Sequence, residues 1–396
     1  MKVAWQKAQI NPSLPTYMEG YVVGRESQTI HDDIEAHVLL LENQGQQFVL
    51  ISLDIILIDK AFGDRLRERL AQESGIASDQ IMVTATHTHS GPQVSTKLSD
   101  QTPVNQDYLN HISDTVSQTL QDCLVNLKPV KVLSKSVNIG DFYSNRNQLE
   151  LPYNNQAQLL QFVTDENDPV VTLMNFNCHP TILKADNLAI SADLVGSIRK
   201  YFPGDLMIVL GEAGDVSTRF KRQGEDFAEV NRVGRGIAEH LNQGLWQELV
   251  PGEFKTQVVQ HAVNYNPTED VFLVQAKAQL EKMVAEQPDA QVLLDMVEKR
   301  VKQTPGTLTY EATILSLGQL VFVFFPSEIV FELGKMLRDS HPNLILVSYS
   351  NDFRGYAVDQ ATYGKFGESL ITEYPHGVAD AFVQKIVEQI EVMVRD

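Results

Sequence analysis

The sequence has little cysteine, a shortage of positive charge and no long apolar run, and each deficit excludes a class of protein. Its 396 residues include only Cys123 and Cys178, too few for a disulfide scaffold or a cysteine-ligated zinc cluster. Lys and Arg number 32 against 51 Asp and Glu, which gives a net charge of −19. Because this surplus repels phosphate backbones, we expect no nucleic-acid partner.

The longest apolar runs, such as residues 320–325, have the length of a strand, whereas a membrane span needs about 20 residues. The N-terminus has no apolar stretch long enough for a signal peptide. With 43% hydrophobic residues, the chain can still build a large core. We therefore expect a soluble, cytoplasmic protein without a stable membrane anchor, and a homo-oligomer is possible.

Strand-like apolar runs alternate with amphipathic stretches of helical period along the chain. Residues 109–124, 227–241 and 379–393 each place apolar side chains on one helical face. The runs 308–317 and 320–325, separated by Gly318 and Gln319, predict a β-hairpin. The pattern predicts an α/β fold with mixed β-sheets flanked by helices, in a single domain over residues 1–396.

Residues 268–303 differ from the rest of the chain. The segment is charge-rich, has a helical period and is broken by Gln287, Pro288 and Asp289, which predicts two helices joined by a turn. We interpret it as a helical-hairpin insertion within the domain. It could be a hairpin packed on the outside, or a lid or dimer arm.

Residues with chemically useful side chains follow six of the predicted strands. Ligands of α/β sheets bind outside the carboxyl ends of strands, so we expect these residues to form one site. They are Asp54, His87 and His89, His179, Asp215 and Ser217, Glu328, and Tyr356.

His87 and His89 are two residues apart, so in an extended segment both imidazoles would point to the same face, as in metal-binding pairs. Two surface or network histidines would give the same pattern, and His179, followed by Pro180, could equally be structural. Glu328 ends an apolar run and needs a cation or an arginine, because an unpaired buried carboxylate is costly. Two imidazoles and one carboxylate suit zinc with an open position for water.

Ser217 invites a serine-hydrolase interpretation that rests on position alone. It lacks the Gly-x-Ser-x-Gly pattern of a nucleophile elbow, since Asp215 and Arg219 flank it. Asp215 and Ser217 could instead cap a turn. Cys178 and His179 are adjacent and would point to opposite faces of a strand, so we interpret Cys178 as a buried structural residue.

The motifs resemble those of the neutral ceramidase family, which are zinc-dependent amidases that split the N-acyl bond of ceramide. The strongest match is Thr-His-Thr-His-Ser-Gly-Pro at residues 86–92, similar to the T-H-T-H-S-G-P of the family. The other matching segments follow in family order across nearly the whole chain. They are residues 17–21, 30–32, 52–54, 145–146, 178–180, 214–217, 326–328 and 351–356.

The resemblance implies a role for each matched residue. Zn²⁺ would be held by His87, His179, Glu328 and Tyr356, and the choice of His87 over His89 comes from the family. The implied catalytic residues are His89, which handles protons or the oxyanion, Ser217, which contacts the metal-bound water or the head group, and Arg146, which orients the polar end of the substrate. Gly20 and Tyr363 would bind substrate. Asp54 and Asp215 would contact the ligand residues, and not the metal ion itself, and hold them in place.

Two departures from the family pattern bear on the substrate. Thr218 and Arg219 follow Ser217 where the family usually has proline. Where the family has a tyrosine before a glutamate, this chain has Gly367 before Glu368, so that the tyrosine is missing or replaced by Phe366 or Tyr363. The substrate therefore need not be ceramide.

The resulting hypothesis is a zinc-dependent amide hydrolase that cleaves an N-acyl bond of a small molecule or lipid by metal-activated water. One alternative is a zinc esterase or lactonase, or a hydrolase of a non-lipid substrate. A second alternative is a non-catalytic metal-binding protein that keeps the motifs for architecture.

Overall fold

Three sheets of four or five strands form the centre of the structure, a computed structural model that describes residues 1–21, 23–284 and 290–395. The strands, numbered in chain order, are β1 (Lys2–Gln9), β2 (Thr29–Ile30), β3 (Glu35–Asn43), β4 (Gln46–Leu53), β5 (Ile81–Ala85), β6 (Lys128–Pro129), β7 (Lys131–Asn138), β8 (Ser144–Asn145), β9 (Gln156–Val163), β10 (Pro169–Phe176), β11 (Ala189–Ile190), β12 (Leu206–Leu210), β13 (Val216–Ser217), β14 (Gln247–Leu249), β15 (Phe254–Tyr265), β16 (Gly306–Leu317), β17 (Leu320–Phe324), β18 (Glu328–Ile329), β19 (Leu344–Val347) and β20 (Tyr356–Ala357).

Helices form at the three predicted amphipathic stretches, and side-chain caps fix several helix starts. The side chains of Asn105 and Asp226, for example, accept the backbone N–H groups of Tyr108 and Glu229 at the first turns of two helices. The helices are α1 (Lys60–Ser74), α2 (Gln106–Leu124), α3 (Asp193–Tyr201), α4 (Phe227–Leu241), α5 (Val271–Met283), α6 (Ala290–Val301), α7 (Phe331–Ser340), α8 (Glu368–Ile371) and α9 (Val378–Arg395).

Each main sheet is mixed and contains one parallel pair. The strand orders are β5-β4-β3-β1-β6, β12-β10-β9-β7-β14 and β15-β16-β17-β19. The parallel pairs are β4 with β5, β10 with β12, and β17 with β19, and the other neighbours are antiparallel. The predicted class, mixed sheets flanked by helices, is confirmed, and so is the hairpin of β16 and β17.

The three sheets share one apolar core. Phe48 of the first sheet and Phe324 of the third have ring centroids 5.5 Å apart, and Phe162 and Leu173 of the second sheet join the same buried cluster. A second cluster packs the first two sheets against α1 to α4, and a third packs the last sheet against α7 and α9. Because the sheets pack on one another, the carboxyl ends of their parallel pairs come together.

The two helices predicted within residues 268–303 are present as α5 and α6. They pack on each other through a small cluster of their own, which includes Leu273, Leu280 and Val297. The predicted turn at Gln287, Pro288 and Asp289 lies outside the described residues, and a lid or dimer-arm role stays a prediction. Among the helices that the structure describes, none combines the length and apolarity needed to span a bilayer.

The close contact between α3 and α4 depends on a glycine, Gly234, at the point where the two helices meet. A Cβ on Gly234 of α4 would lie 2.2 Å from Ser197 Oγ, 2.5 Å from Ser197 Cβ and 2.9 Å from its carbonyl carbon. We predict that Gly234→Ala lowers the free energy of unfolding by about 1–3 kcal/mol, since the helices must separate and this outweighs alanine's better helix propensity. Urea denaturation of the purified variant measures the change.

Gly224→Ala is the matched control, because a Cβ there meets nothing closer than 3.5 Å. Its free energy of unfolding should lie within about 0.5 kcal/mol of that of the parent chain. Equal stability of Gly234→Ala and Gly224→Ala would contradict the close packing of α3 on α4.

Candidate metal centre

His87 lies two residues beyond the end of β5, in a segment that is not extended. Its φ is +62°, in the left-handed region, and its ring Nδ1 lies 2.6 Å from the backbone oxygen of Ile56, in the loop after β4. The extended geometry assumed for the His87–His89 pair is therefore wrong for this segment. The rings still come together, with centroids 4.8 Å apart, because the turn brings His89 back over His87.

His179 lies three residues beyond the end of β10 and is 1% exposed. Its Nδ1 lies 2.5 Å from the backbone oxygen of Ala213, in the loop after the parallel neighbour β12. Its backbone N–H donates to the carbonyl of Val216 at 3.0 Å. The loop after one strand thus orients the histidine that follows the other.

Glu328 arrives from the third sheet, four residues beyond the end of β17. It starts β18, which pairs in parallel with β20, so that Glu328 stands beside Tyr356 in register. Its Oε2 lies 2.8 Å from His179 Nε2 and 3.4 Å from His87 Nε2. The ligand atoms of the three residues all lie within 4.8 Å of one another, and all three residues are buried.

The donor chemistry of this group fits a metal ion. A carbonyl oxygen can only accept a hydrogen bond, so the Nδ1 atoms of His87 and His179 carry the ring protons, and both Nε2 atoms present lone pairs. Burial, and then the charge of Arg146, lowers the pKa of His179 to about 4, which keeps its ring neutral. Two lone pairs and a carboxylate oxygen that face one another match a cation between them.

Tyr356 and Arg146 lie beside this group. The Tyr356 hydroxyl lies 3.5 Å from His179 Nε2, and the Arg146 guanidinium carbon lies 5.3 Å from the centre of the Tyr356 ring. Arg146 Nε donates to Glu368 Oε1 at 2.8 Å. Glu368 is therefore the anchor of Arg146, a role that the sequence did not reveal.

His89 differs from the two histidines that face Glu328. Its Nε2 lies 3.2 Å from His87 Nε2, and its Nδ1 is buried without a hydrogen-bond partner among the described residues. Burial, reinforced by the neighbouring histidines, holds the pKa of His89 well below its usual value. The ring is therefore neutral at neutral pH, and no carbonyl fixes which nitrogen carries the proton.

Gly20 makes room for His89. Its φ is +107°, and a Cβ there would lie 2.6 Å from His89 Cγ and Nδ1 and 2.8 Å from the Cδ1 of Ile56. The backbone of Gly20 thus packs directly against the His89 ring. The predicted contact of Gly20 with substrate stays a prediction.

The two predicted supporting carboxylates both tie loops of the site together. Asp54 accepts the Thr86 hydroxyl at 3.0 Å and forms a buried ion pair with Arg199 of α3. Asp215 accepts the side chain of Asn145 and the first N–H of α7, both at 2.8 Å. Burial raises the pKa of Asp215 to about 6.

Ser217 lies beside His179 through a backbone bridge, but its hydroxyl accepts the N–H of Arg219 at 3.2 Å. Within the described residues, no histidine forms a hydrogen bond with this hydroxyl, so a serine–histidine pair is not formed. Tyr363 is not brought to the group: its hydroxyl donates to the Tyr374 carbonyl at 3.1 Å, and its ring lies against Phe272. Its predicted substrate contact stays a prediction.

Tyr349 belongs to the site although the sequence analysis did not select it. Its hydroxyl donates to Glu328 Oε2 at 3.4 Å, and its ring stacks on His87 with centroids 4.4 Å apart. Its φ of +56° is rare for a bulky residue. The signal that could have found it is its place two residues beyond the end of β19, a parallel strand.

By fold and site, the chain is an α/β protein with a buried group of two histidines and one carboxylate that could hold a metal ion. Residues 12–204 match the family described as neutral/alkaline non-lysosomal ceramidase, N-terminal. This match supports the neutral ceramidase family for the chain, in agreement with the resemblance of its motifs.

Two solved structures have the same fold. One is neutral ceramidase from Pseudomonas aeruginosa, with a TM-score of 0.78, 17% identity and coverage of 100% of this chain and 74% of that one. The other is a ceramidase described as complexed with C2, with a TM-score of 0.77, 16% identity and coverage of 99% and 75%. At these identities the likeness establishes the fold.

We predict that Zn²⁺ stabilises chelator-treated protein against unfolding, because the converged ligands exist only in the folded chain. A concentration of 100 times the Kd would add about 2.7 kcal/mol, which raises Tm in a thermal scan. His179→Ala and Glu328→Gln should lose this rise, whereas His111→Ala, an exposed position on α2, should keep it. An unchanged Tm for the parent chain, or a rise retained in both site variants, would contradict the metal centre.

Proposed function

We propose that the chain is a zinc-dependent hydrolase that cleaves the N-acyl amide bond of a small molecule or lipid. The observation that carries this proposal is the pair of unprotonated Nε2 atoms, of His87 and His179, that face the Glu328 carboxylate. The match of residues 12–204 to the ceramidase family supports an amide as the bond that is cleaved. We propose His87, His179, Glu328 and Tyr356 as the zinc ligands.

A zinc ion held there would lower the pKa of a coordinated water and polarise the substrate carbonyl. The free Nδ1 of His89 supports a proton-carrying role, because this nitrogen can take up a proton without giving up an existing hydrogen bond. His89 would accept a proton as the water attacks and deliver it to the leaving amine nitrogen. Arg146, held by Glu368, would orient the polar end of the substrate.

The histidine pair provides the sharpest test of these roles. His87→Ala should lose both zinc and turnover, whereas His89→Ala should retain zinc and lose about 100-fold or more in kcat, the usual scale for a general acid–base group. Zinc content per chain and hydrolysis of a short-chain ceramide, measured on the same preparations, give the two readouts. His111→Ala serves as the control for the loss of an imidazole elsewhere.

Loss of zinc in His89→Ala with retention in His87→Ala would reverse the assignment of the pair. Full activity of His89→Ala would remove it from the mechanism. A wild-type chain that holds no stoichiometric zinc after purification without chelator would overturn the proposed function.

A second prediction separates metal hydrolysis from serine chemistry. Because the Ser217 hydroxyl accepts a backbone N–H and has no basic partner among the described residues, a fluorophosphonate should leave Ser217 unlabelled in mass spectrometry. A chelator should abolish hydrolysis of the N-acyl substrate, and zinc should restore it. Labelling of Ser217 together with chelator-resistant turnover would favour a serine hydrolase, and cleavage of a matched ester alone would favour a zinc esterase.

A further inference from the structure

One side of the metal centre carries an accumulation of positive charge. The Tyr21 ring lies 4.8 Å from the His89 ring, measured between centroids, and therefore borders the group at its partly exposed side. Two cations lie against the same tyrosine: Arg25, 5.1 Å from the ring centre, and Lys184, 5.7 Å from it. Tyr21 is fixed between them, because its hydroxyl donates to the Leu183 carbonyl at 2.7 Å.

Arg25 is a nearly buried cation that has no carboxylate partner. Only 7% of it is exposed, its Nε is buried without a partner, and it forms no ion pair within the described parts of the chain. Backbone carbonyls solvate its charge and the charge of Asp186 contributes, but a buried cation without an ion-pair partner is costly. The carbonyl oxygens that accept its N–H groups are those of Glu19, His89, Lys184 and Asn187.

Lys184 is the second cation without a carboxylate partner among the residues described. Its ammonium donates to the Thr181 carbonyl at 3.1 Å. Burial, followed by the charge of Arg222, lowers the pKa of Lys184 to about 8, so the amine is still protonated at neutral pH. An ammonium held in partial burial near other cations gains free energy when an anion approaches.

Arg219 adds a third cation to this side. It lies two residues beyond Ser217, whose backbone bridges to His179, and its charge contributes to the environment of Lys184. Its side chain is exposed and forms no ion pair in the described ranges. By contrast, the neighbouring Arg222 is paired with Glu225 and so is already neutralised.

The chain as a whole is acidic, with a net charge of −19. On one side of this site, however, three cations lie without an ion-pair partner among the described residues, and one of the three is nearly buried. We propose that this side, formed by Arg25, Lys184 and Arg219 around Tyr21, binds an anionic head group, so that the substrate is an N-acyl compound with a carboxylate or phosphate beside the scissile amide. This inference rests on the proposed function for the reaction, but the binding preference can be measured without turnover.

The test compares N-dodecanoylglycine, whose head group is a carboxylate, with neutral N-dodecanoylethanolamine and with its phosphate ester. Calorimetry on chelator-treated protein measures binding, and zinc-loaded protein measures kcat/KM. The anionic compounds should bind about tenfold more tightly or better than the neutral one, the scale of one charge-assisted contact. The preference should shrink between about 50 mM and 500 mM NaCl, because salt screens the cations.

Lys184→Met and Arg219→Met should each reduce the preference for the anionic compounds, and the double variant should reduce it further. Lys335→Met, an exposed lysine of α7 paired with Asp339, is the matched control and should keep it. The ratio of the carboxylate to the phosphate compound identifies the head group.

The outcomes separate the two proposals. Equal binding of neutral and anionic compounds, or a preference that survives the double variant, would overturn the anion-binding side even if both compounds are hydrolysed. A salt-sensitive preference in binding without any zinc-dependent hydrolysis would support it and overturn the proposed function.

Discussion

The hydrogen bonds from the two histidines that face Glu328 to backbone carbonyls control the chemistry of the whole candidate centre. His87 donates through Nδ1 to Ile56, and His179 donates through Nδ1 to Ala213, at 2.6 Å and 2.5 Å. Because these carbonyls cannot donate, they fix the tautomer of each ring and turn both Nε2 lone pairs toward Glu328. The carbonyls come from the loops after β4 and β12, which are the parallel neighbours of β5 and β10. Each of these two parallel pairs therefore supplies both a candidate ligand and the group that orients it.

Buried charges around the centre connect the loops. Asp54 and Arg199 join the end of β4 to α3, and Arg146 and Glu368 join the loop after β8 to α8. A buried ion pair contributes little net stability, because desolvation offsets the attraction. The value of these pairs is therefore positional: each holds a loop that carries a site residue against an element from another part of the chain.

The sequence predicted which strand ends carry the site, because apolar runs and the residues that follow them are local signals. The positions of side chains within the loops could not be predicted in this way, because they depend on contacts between distant parts of the chain. Spacing alone left His87 and His89 equivalent, and the left-handed φ of His87, which gives the two rings different surroundings, is contained in no spacing rule. Tyr349 escaped notice because its role depends on a ring stacked across two sheets. The role of Glu368 could not be predicted because its partner, Arg146, lies 222 residues away in the sequence.

The three ligand candidates come from three different sheets, and His179 and Glu328 are 149 residues apart in the chain. Contacts of such sequence separation form late, after the loops between them have been closed at an entropic cost. The ligand set is thus complete only when the third sheet has docked on the other two through the apolar core. Binding of a metal ion at the centre would then occur only after the three sheets have assembled. Interactions gained after the folding transition state slow the rate of unfolding more than they speed folding, so a bound ion would prolong the lifetime of the native chain.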